Sequence, residues 1–285
     1  MKVLLTGANG QLGRCFQDIF PKEWQLIATD SDVLDITNRQ AVESFIVTHK
    51  PDIIVNAAAY TAVDKAETES ELAEKINAQG TYYLALASHS IGARFFHVST
   101  DYVFDGTKTT PYLVTDQTNP LGVYGKTKLK GEILSLQANP NTTIIRTAWV
   151  FSEYGNNFVK TVLRLAKERN ELRVVNDQIG CPTYAGDLAA CIIQLIKQNN
   201  ESGIYHYCGN ESMSWCDFAN KIIDVAFEQG KIINKPKIVG IPSSEYPTPA
   251  KRPFYSVLDM KKLEKTYSEK QNIDHILSQI ISKIG

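Results

Sequence analysis

A tyrosine and a lysine stand four residues apart in the stretch YGKTK, as Tyr124 and Lys128. On a helix, residues at this spacing share one face, so the two side chains can act on the same ligand. A phenol donates a proton well when its pKa lies near neutrality, and a neighbouring ammonium group favours the phenolate. An exposed helix face can carry the same pair without any chemistry. The interpretation therefore depends on the residues that the fold places beside these two.

A short polar run supplies a third group for this chemistry. Ser99, Thr100 and Asp101 follow the apolar run RFFHV, which predicts that they lie at the carboxyl end of a strand. Open α/β sheets bind their ligands at that edge. The Thr100 hydroxyl can hydrogen-bond a substrate oxygen beside Tyr124, while Lys128 can also hold the ribose of a nicotinamide. Together these residues predict proton transfer to a carbonyl oxygen.

Three glycines follow the first predicted strand in the run TGANGQLG, at positions Gly7, Gly10 and Gly13. In a strand–turn–helix context, such glycines permit a tight turn, a close approach of backbone amides to a pyrophosphate, and tight helix packing. The partial positive charge at the helix N-terminus favours the same anion. A purely structural glycine turn is the alternative. We expect a dinucleotide to bind here.

Acidic and small residues extend this predicted dinucleotide site. Asp30 ends the second predicted strand, where a carboxylate can accept hydrogen bonds from the adenosine ribose and would repel a 2′-phosphate. That favours NADH, although an outward turn of Asp30 would let Arg14 bind a phosphate, so NADPH stays open. Asp35 is expected near the adenine. The run NAAA, residues 56–59 with Ala57 in it, leaves room for a flat ligand or reflects only tight packing.

Strands and helices that alternate along the first half of the chain must position these groups. Short apolar runs such as KVLLTG and DIIVNAAA alternate with helical patterns, which predicts parallel strands joined by right-handed crossovers. Continuously apolar strands indicate a sheet that is covered on both faces. The predicted fold class is α/β, a doubly wound parallel sheet (Rossmann-like) with a smaller, mostly C-terminal substrate lobe.

The predicted domains are discontinuous along the chain. Residues 1–152 with about 178–209 form the dinucleotide-binding Rossmann domain, and residues from about 153–177 with 210–285 form the substrate lobe. The amphipathic runs NNFVKTVLRLAKERN and SWCDFANKIIDVAFEQG predict helices in that lobe. The proline-rich run 241–253 is expected to be an ordered wall or lid, with a disordered linker as the alternative.

Composition and charge argue against several classes of function. The formal net charge is −1 over 285 residues, so no global field attracts nucleic acid or an anionic membrane. No run is apolar and long enough for a signal peptide or a membrane span, which predicts a cytoplasmic protein. The five cysteines and five histidines do not cluster, which predicts neither a disulfide nor a metal site.

The chain resembles the extended short-chain dehydrogenase/reductases and, within them, the dTDP-4-dehydrorhamnose reductases. The resemblance runs from residue 1 to about 255. Single motifs such as YxxxK occur across the whole superfamily, whereas STDYVFDG, NDQIGCPT and PTPAKRP together are much more specific. The other matching stretches are GANGQLG, PDIIVNAAAYTAVDKAE, NPLGVYGKTKLKGE, RTAWVF and GNNFVKTVLRLAKER.

This resemblance implies roles for residues along the chain. The catalytic set would be Thr100, Tyr124 and Lys128, with Thr100 standing where many relatives have serine. The implied cofactor contacts are Gly10, Gln11, Leu12, Asp30, Asp35, Ile36, Ala59, Tyr60 and Thr61. The implied substrate contacts are Thr100, Asp101 and Trp149 on the sugar side, and Asn157, Gln178 and Arg252 on the diphosphate side.

The resemblance also implies a reductase that takes NADPH or NADH. The hydride would pass to C4 of dTDP-4-dehydro-β-L-rhamnose, and Tyr124 would give the proton to O4, which forms dTDP-β-L-rhamnose. Some relatives are dimers that hold a divalent metal between subunits with glutamates, and Cys15 and the vicinity of Gly186 match those positions here. Neither residue is a hard oxygen ligand, so we predict no metal and a monomer or weak homodimer.

Alternatives stay open for single residues and for the whole chain. Asn157 can cap a helix, Trp149 can be a core residue, and Arg252 can form a surface ion pair. The chain can be a sugar-nucleotide epimerase or dehydratase of the same fold, although a dehydratase would have a pair of acids after Thr100, where this chain has only Asp101. It can also be a non-catalytic protein like the regulatory subunit of methionine adenosyltransferase, which does not need an intact Thr–Tyr–Lys set.

Overall fold

The computed structural model describes residues 1–199, 201–264, 267 and 272–284. The strands are β1 (Lys2–Thr6), β2 (Gln25–Thr29), β3 (Ile53–Asn56), β4 (Arg94–Thr100), β5 (Thr142–Thr147), β6 (Val150–Phe151), β7 (Glu171–Val175), β8 (Ile179–Gly180), β9 (Thr183–Tyr184), β10 (Gly203–His206), β11 (Met213–Ser214) and β12 (Lys237–Ile241). The α-helices are α1 (Gln11–Asp18), α2 (Arg39–His49), α3 (Val63–Ala66), α4 (Ser70–Glu74), α5 (Thr81–Ser90), α6 (Val123–Ala138), α7 (Phe158–Glu168), α8 (Ala185–Lys197), α9 (Trp215–Glu228), α10 (Lys261–Glu264) and α11 (Ile273–Lys283).

Six strands form one parallel sheet in the order β2-β1-β3-β4-β5-β10. Alternate residues of a strand face opposite sides of a sheet, and both sets are apolar in β1. Val3 and Leu5 pack against α1 and α8 on one side, while Leu4 packs against α2 and α5 on the other. Because helices cover both faces, the strands need no polar face. The predicted fold class, a doubly wound parallel sheet, is confirmed.

The predicted long helix over residues 69–92 contains one wider turn. α4 passes into a π-helical segment, Lys75–Gly80, which continues into α5. Asn77 in this segment is fully buried, and its amide donates to the carbonyl oxygen of Tyr60 (3.1 Å) and to the Thr127 hydroxyl (3.1 Å). Such segments are often found at functional sites. Here the segment connects the loop after β3 to α6.

The predicted strand TTIIRTAWVF, residues 142–151, is two strands in the structure. β5 ends at Thr147, and β6 pairs with β9 instead of joining the main sheet. Between them Trp149 adopts a left-handed backbone conformation with φ +46°. That conformation is uncommon for a large side chain and is most often kept where surrounding contacts hold it. The chain leaves the main sheet at this point.

A second hydrophobic core lies outside the main sheet. It is formed by α7, α9 and α11, with Val162, Phe218, Ile222, Leu277 and Ile280 among its buried residues. The parallel pair of β7 with β12 adjoins this core. Neither strand was predicted, because the helices between them separate the two partners along the chain.

The division into two domains stays a prediction, and the two cores support it. Within the segment 178–209, α8 packs on α1 and β10 extends the main sheet beside β5. By contrast, β8 pairs with β11 and β9 pairs with β6. The first few residues of this segment therefore lie outside the main sheet.

Candidate active site

A cavity of about 1040 Å³ lies at the carboxyl ends of the sheet strands. The loops after β1, β2, β3 and β4 form its walls, together with the start of α6 and the segment after β5. The strand order reverses between β1 and β3, and open α/β sheets bind ligands at such a point. The predicted site residues that line the cavity are Gly7, Gly10, Gln11, Leu12, Gly13, Asp30, Asp35, Ile36, Ala57, Ala59, Thr61, Thr100, Asp101, Tyr124, Lys128, Trp149 and Asn157.

The glycine loop has the geometry that a pyrophosphate site needs. Gly7 has φ +71°, and a Cβ atom there would lie 2.6 Å from the backbone nitrogen of Ala58. A Cβ atom at Gly13 would lie 2.2 Å from the Gly7 carbonyl oxygen, so neither position accepts a side chain. α1 begins directly after Gly10 and has no acidic residue in its first turn. Because unpaired N–H groups at a helix start favour an anion, the loop fits a dinucleotide phosphate.

Asp30 directly follows β2 and borders the same cavity. Its carboxylate oxygens accept hydrogen bonds from the backbone N–H groups of Asn9 (2.9 Å) and Ser31 (2.8 Å). These bonds hold the carboxylate beside the glycine loop and leave lone pairs for ribose hydroxyls. Asp35 accepts from the backbone N–H (2.9 Å) and the hydroxyl (2.7 Å) of Thr37, which stabilises the following turn. This placement supports a ribose contact for Asp30.

Tyr124 lies in the first turn of α6, beside the carboxyl end of β4. Its ring packs edge-to-face on the ring of Tyr102, with the centroids 5.5 Å apart. A residue outside α6 holds the start of this helix: the backbone N–H of Val123 donates to Oε1 of Glu67 (2.9 Å). A carboxylate at this position also favours the partial positive charge of the helix start. Glu67 thus helps to fix the turn that carries Tyr124.

Lys128 is 1% exposed and contacts β4. Its Nζ donates to the carbonyl oxygen of Val98 (2.7 Å) and lies 3.2 Å from Nε2 of His97. His97 is fully buried, and its Nδ1 lies 3.1 Å from Nδ2 of Asn56 on β3. The amine is therefore held by β4, and Asn56 of β3 acts on it through His97, while Lys128 still forms part of the cavity wall.

The acid–base properties of Tyr124 and Lys128 differ from the prediction. Burial raises the pKa of Tyr124 to about 12, with a hydrogen bond to Thr100 opposing this shift and the charge of Asp101 adding to it. Burial also lowers the pKa of Lys128 to about 7, against the attraction of Glu132. The prediction that Lys128 draws the pKa of Tyr124 toward neutrality is therefore wrong for this arrangement. Loss of water is the largest cause of both shifts, and neither group is a cause of the shift of the other.

A buried ion pair lies one turn further along α6. Glu132 accepts hydrogen bonds from Nε (2.9 Å) and Nη2 (2.7 Å) of Arg146 on β5, and from the hydroxyl of Ser99 on β4. Both charged side chains are at most 3% exposed. A charge pair without water is stable only when its hydrogen bonds are satisfied, as they are for this carboxylate. The pair fixes the helix that carries Tyr124 and Lys128 against two strands.

Tyr60, Gln178 and Arg252 lie outside the cavity lining. The Tyr60 hydroxyl donates to Oε2 of Glu69 (2.6 Å), which raises its pKa to about 12. The Gln178 amide donates to the hydroxyl of Ser243 (3.0 Å) in the proline-rich run. Their predicted ligand contacts stay predictions.

Arg252 is held by an ion pair at the edge of the site. Its Nη1 and Nη2 donate to the two carboxylate oxygens of Asp64 on α3, at 3.0 Å and 2.8 Å. The backbone N–H of Ala250 donates to the same carboxylate at 3.2 Å. These contacts give the proline-rich run 241–253 a defined position against α3, as its ordered interpretation predicts. Arg252 thus forms an ion pair, which was the alternative to its predicted contact with the substrate.

Two tryptophans stack in the lining of the cavity. The rings of Trp149 and Trp215 are 3.5 Å apart and nearly parallel, and both line the cavity. Asn157 lines the same wall and caps α7, because its Oδ1 accepts the backbone N–H of Lys160 (3.1 Å). Its amide donates to Oε1 of Gln11 (2.9 Å), which connects the glycine loop to α7. Asn157 therefore caps a helix, which was its alternative role, and it also lines the cavity.

The sequence analysis did not single out Trp215, Glu67 or His97, which contact predicted site residues. Each leaves a weak local signal. Trp215 follows the capping serine Ser214, whose pairing with Asp217 marks the start of a helix. Glu67 ends the stretch PDIIVNAAAYTAVDKAE, and His97 interrupts an apolar strand. These signals do not say which elements meet, so they could not place the residues at the site.

The described residues contain no group of three or more His, Cys, Asp or Glu side chains that could hold a metal ion. Cys15 is buried, and burial together with the charges of Glu153 and Asp18 raises its pKa to about 12. That shift disfavours the thiolate that binds metals. A Cβ atom at Gly186 would lie 2.4 Å from the Tyr184 ring. Among the helices described, none combines the length and apolar character that crossing a membrane requires.

The chain matches a known family over nearly its full length. The family model described as RmlD substrate binding domain matches residues 1–284. A dTDP-4-dehydrorhamnose reductase from Aggregatibacter actinomycetemcomitans is 47% identical over 273 residues, which cover 93% of this chain and 93% of that protein.

Solved structures give the same result. The crystal structure of a dTDP-4-dehydrorhamnose reductase from Clostridium acetobutylicum ATCC 824 matches with a TM-score of 0.93 at 44% identity, over 99% of each chain. That of a dTDP-4-dehydrorhamnose reductase from Bacillus anthracis str. Ames, in complex with NADP, matches with a TM-score of 0.90 at 37% identity, over 99% of this chain and 98% of that one. The chain therefore belongs to the dTDP-4-dehydrorhamnose reductase family, whose model covers it from residue 1 to residue 284.

Proposed function

We propose that this protein reduces the 4-keto group of dTDP-4-dehydro-β-L-rhamnose to give dTDP-β-L-rhamnose, with NADPH or NADH as the reductant. One observation carries the proposal: Thr100, Tyr124 and Lys128 line the same cavity as the glycine loop. A dinucleotide on that loop and a sugar beside Tyr124 would meet within this cavity. The relatives carry the name of this activity, and one of them was solved in complex with NADP.

Proton transfer is the part of the reaction that we assign to Tyr124. A bound reduced nicotinamide supplies the hydride that adds to C4 of the sugar. Tyr124 donates its phenolic proton to O4, which becomes the new hydroxyl. With a pKa of about 12, the phenol is protonated at neutral pH and can give its proton to a developing alkoxide. Thr100 hydrogen-bonds the phenol and orients it, and Lys128 holds the ribose from the cavity wall.

The cavity lining around Trp149 and Asp101 suits the sugar of the substrate. Trp149 offers a flat apolar surface to the sugar ring. Burial raises the pKa of Asp101 to about 6, so its carboxylate is an acceptor for sugar hydroxyls at neutral pH. We assign the diphosphate to Asn157, Gln178 and Arg252, whose amide and guanidinium groups can bind phosphate oxygens.

We propose that the protein accepts both NADH and NADPH. The carboxylate of Asp30 beside the glycine loop suits a ribose with free hydroxyls and disfavours a 2′-phosphate. The relative from Bacillus anthracis was nevertheless solved with NADP. The contacts that we assign to the dinucleotide are Gly7, Gly10, Gln11, Leu12, Gly13, Asp30, Asp35, Ile36, Ala57, Ala59, Tyr60, Thr61, Tyr124 and Lys128.

We further propose a cytoplasmic enzyme that works without a metal, as a monomer or weak homodimer, and without a nucleic-acid or membrane partner. The net charge of −1 supports the absence of such anionic partners. The thiol at Cys15 and the missing side chain at Gly186 support the absence of a metal. Light scattering with and without EDTA tests the assembly. A dimer that dissociates on chelation would contradict this proposal.

The absorbance of the reduced nicotinamide tests the proposed reaction directly. With dTDP-4-dehydrorhamnose, we expect one equivalent of NADH or NADPH to be consumed for each dTDP-rhamnose formed. An epimerase or dehydratase of this fold would recycle catalytic NAD⁺ and consume no reduced cofactor, and a non-catalytic subunit would change neither compound. Tyr102 already stands where a dehydratase would have its second acid, directly after Asp101.

A further inference from the structure

Hydrogen bonds around Asn56 determine the proton position on the histidine next to Lys128. The side-chain oxygen of Asn56 accepts from the backbone N–H of Ala58 (3.2 Å), a group that can only donate. The Thr81 hydroxyl donates its single proton to the carbonyl oxygen of Asn77 (2.9 Å), so it must accept from Nδ2 of Asn56 (3.3 Å). Both contacts require the same orientation of the Asn56 amide.

In this orientation, Nδ2 of Asn56 donates to Nδ1 of His97, at 3.1 Å. Burial and the nearby Lys128 lower the pKa of His97 well below its ordinary value, so the ring is neutral. A neutral imidazole has one N–H group, and with Nδ1 accepting, that group is Nε2–H. Nε2 lies 3.2 Å from Nζ of Lys128. The histidine therefore presents a donor to the lysine nitrogen.

A donor at this position favours the uncharged form of Lys128. An ammonium group has three donors and no acceptor, so it cannot accept from His97. A neutral amine accepts from Nε2–H and still donates to the Val98 carbonyl oxygen (2.7 Å). Burial acts in the same direction and lowers the pKa of Lys128 to about 7.

The charged groups around Lys128 do not reverse this preference. Glu132 lies on the next turn of α6 and favours the ammonium form, but its carboxylate is paired with Arg146 of β5. Tyr124, on the preceding turn, is protonated at neutral pH. The charge of Asp101, after β4, raises the pKa of Tyr124 and is not a cause of the shift of Lys128. β3 contributes the neutral amide of Asn56 and β4 the neutral ring of His97.

We infer that His97, fixed as its Nε2–H tautomer by Asn56, is a positioning residue that favours the neutral form of Lys128, and that this neutral form takes up one proton when a dinucleotide binds. The proton comes from solvent through the cavity that Lys128 lines, and the amine lone pair forms the new N–H bond. Nζ then no longer accepts from His97, so it turns toward the oxygens of the bound dinucleotide. The inference rests on the proposed cofactor and is independent of the proposed sugar.

Calorimetric titration with NADH, repeated in buffers of different ionisation enthalpy, counts the protons taken up on binding. NADH is the probe because it lacks the 2′-phosphate, which itself titrates at about pH 6. From a pKa of about 7 for Lys128, wild-type protein should take up about 0.9 proton at pH 8 and about 0.1 at pH 6. The dissociation constant of NADH should rise roughly fivefold from pH 7 to pH 8.

Two variants should lower this uptake at pH 8. In His97→Gln, the amide oxygen can accept from an ammonium group, which increases the protonated fraction of Lys128 before binding. In Asn56→Asp, the carboxylate accepts from Nδ1–H of His97, which turns Nε2 into an acceptor. The matched control is His206→Gln, since His206 is equally buried on β10 and lies outside the cavity lining. Lys128→Met should take up no proton. Uptake by Asp101 would persist in this variant, so it shows which of the two residues takes up the proton.

Nitrogen NMR of the imidazole rings reads the tautomer without any ligand. The His97 signals, assigned by their loss in His97→Gln, should show Nε2–H in the wild type and Nδ1–H in Asn56→Asp. Binding of NADH without proton uptake at pH 8, uptake that persists in Lys128→Met, or a wild-type His97 protonated at Nδ1 would each overturn the inference. If NADH does not bind at all, the proposed function fails, and the NMR tautomer still decides this inference.

Discussion

Tyr124 and Lys128 lie deeper than their spacing alone indicates. The four-residue spacing places them on one helix face, but it does not say that this face is turned toward β4. Burial then raises the pKa of the phenol and lowers that of the amine, the reverse of the effect expected for two solvated neighbours. A phenol that keeps its proton at neutral pH is suited to donate it during reduction.

The hydroxyl of Tyr124 is the group that the proposed reaction needs most. In Tyr124→Phe the ring remains and the proton donor is lost, so kcat should fall roughly 10²- to 10⁴-fold, the range for general acid catalysis. The affinity for NADH should change little. Tyr205→Phe is the matched control, because it also removes a hydrogen-bonded tyrosine hydroxyl, at a residue outside the cavity lining. Steady-state kinetics that leave Tyr124→Phe more than half of its kcat would exclude Tyr124 as the acid.

Cofactor choice should depend on Asp30. We expect kcat/KM for NADH and NADPH to differ by at most about two orders of magnitude, since one charged contact contributes about 1.5–3 kcal/mol. Asp30→Ala should shift the ratio toward NADPH, because the repulsion of a 2′-phosphate is removed. Asp32→Ala removes an exposed charge from the same loop and should leave the ratio unchanged. A shift of Asp30→Ala toward NADH would show that Asp30 does not face the ribose.

At the scale of elements, α6 is positioned by polar contacts. Its buried residues include Thr127, Lys128, Glu132 and Ser135, so no apolar stripe marks the face that it turns inward. Asn77, Glu67 and Arg146 contact it from three other elements. The existence of the helix could be predicted from the sequence. Its orientation could not, because that depends on partners distant along the chain.

The Glu132–Arg146 pair should contribute strongly to stability because both charges are buried. Arg146→Met leaves the carboxylate of Glu132 without its cation, so the free energy of unfolding should fall by about 3–5 kcal/mol. Replacing both residues, Arg146→Met with Glu132→Leu, should restore most of the loss. Denaturant titration measures both effects. Glu168→Gln breaks the exposed pair with Arg164 and should change little. A cost for Arg146→Met no larger than for this control would contradict the proposed role.

The main sheet was predictable because each of its strands is a short apolar run bounded by turns. The pair β7–β12 was not, since pairing between strands far apart in sequence leaves no local pattern. The break at Trp149 was also missed, because the run TTIIRTAWVF reads as one continuous strand. The glycine loop, by contrast, could be placed from sequence, since only glycine fits at Gly7 and Gly13.

At the scale of the whole molecule, the proline-rich run reaches back to the first half of the chain. Arg252 and Ala250 bind the carboxylate of Asp64, so this run packs against α3, whose Val63 lines the cavity. The contact with Arg252 lowers the pKa of Asp64, whereas burial raises it. The contact with Arg252 is the larger effect, so the pKa lies below its ordinary value. If Arg252 also binds the substrate diphosphate, it must release or share Asp64 when substrate enters.

Two substitutions separate these roles of Arg252. Arg252→Ala should raise KM for the dTDP-sugar roughly 10- to 100-fold, because a charge-assisted contact to the diphosphate is lost. Asp64→Asn frees the guanidinium and should leave that KM unchanged or lower it. The affinity for NADH serves as the internal control in both variants. Equal increases in KM for the two variants would show that Arg252 serves the contact with Asp64 and not the substrate.

Transfer of deuterium tests the central claim most directly. The protein is incubated with dTDP-4-dehydrorhamnose and NADH that carries deuterium at the transferred position of the nicotinamide, and the sugar product is analysed by mass spectrometry and NMR. We expect dTDP-β-L-rhamnose with one deuterium at C4, formed with one equivalent of NAD⁺, and almost none with Tyr124→Phe. A product without deuterium at C4, or turnover without net oxidation of NADH, would contradict it.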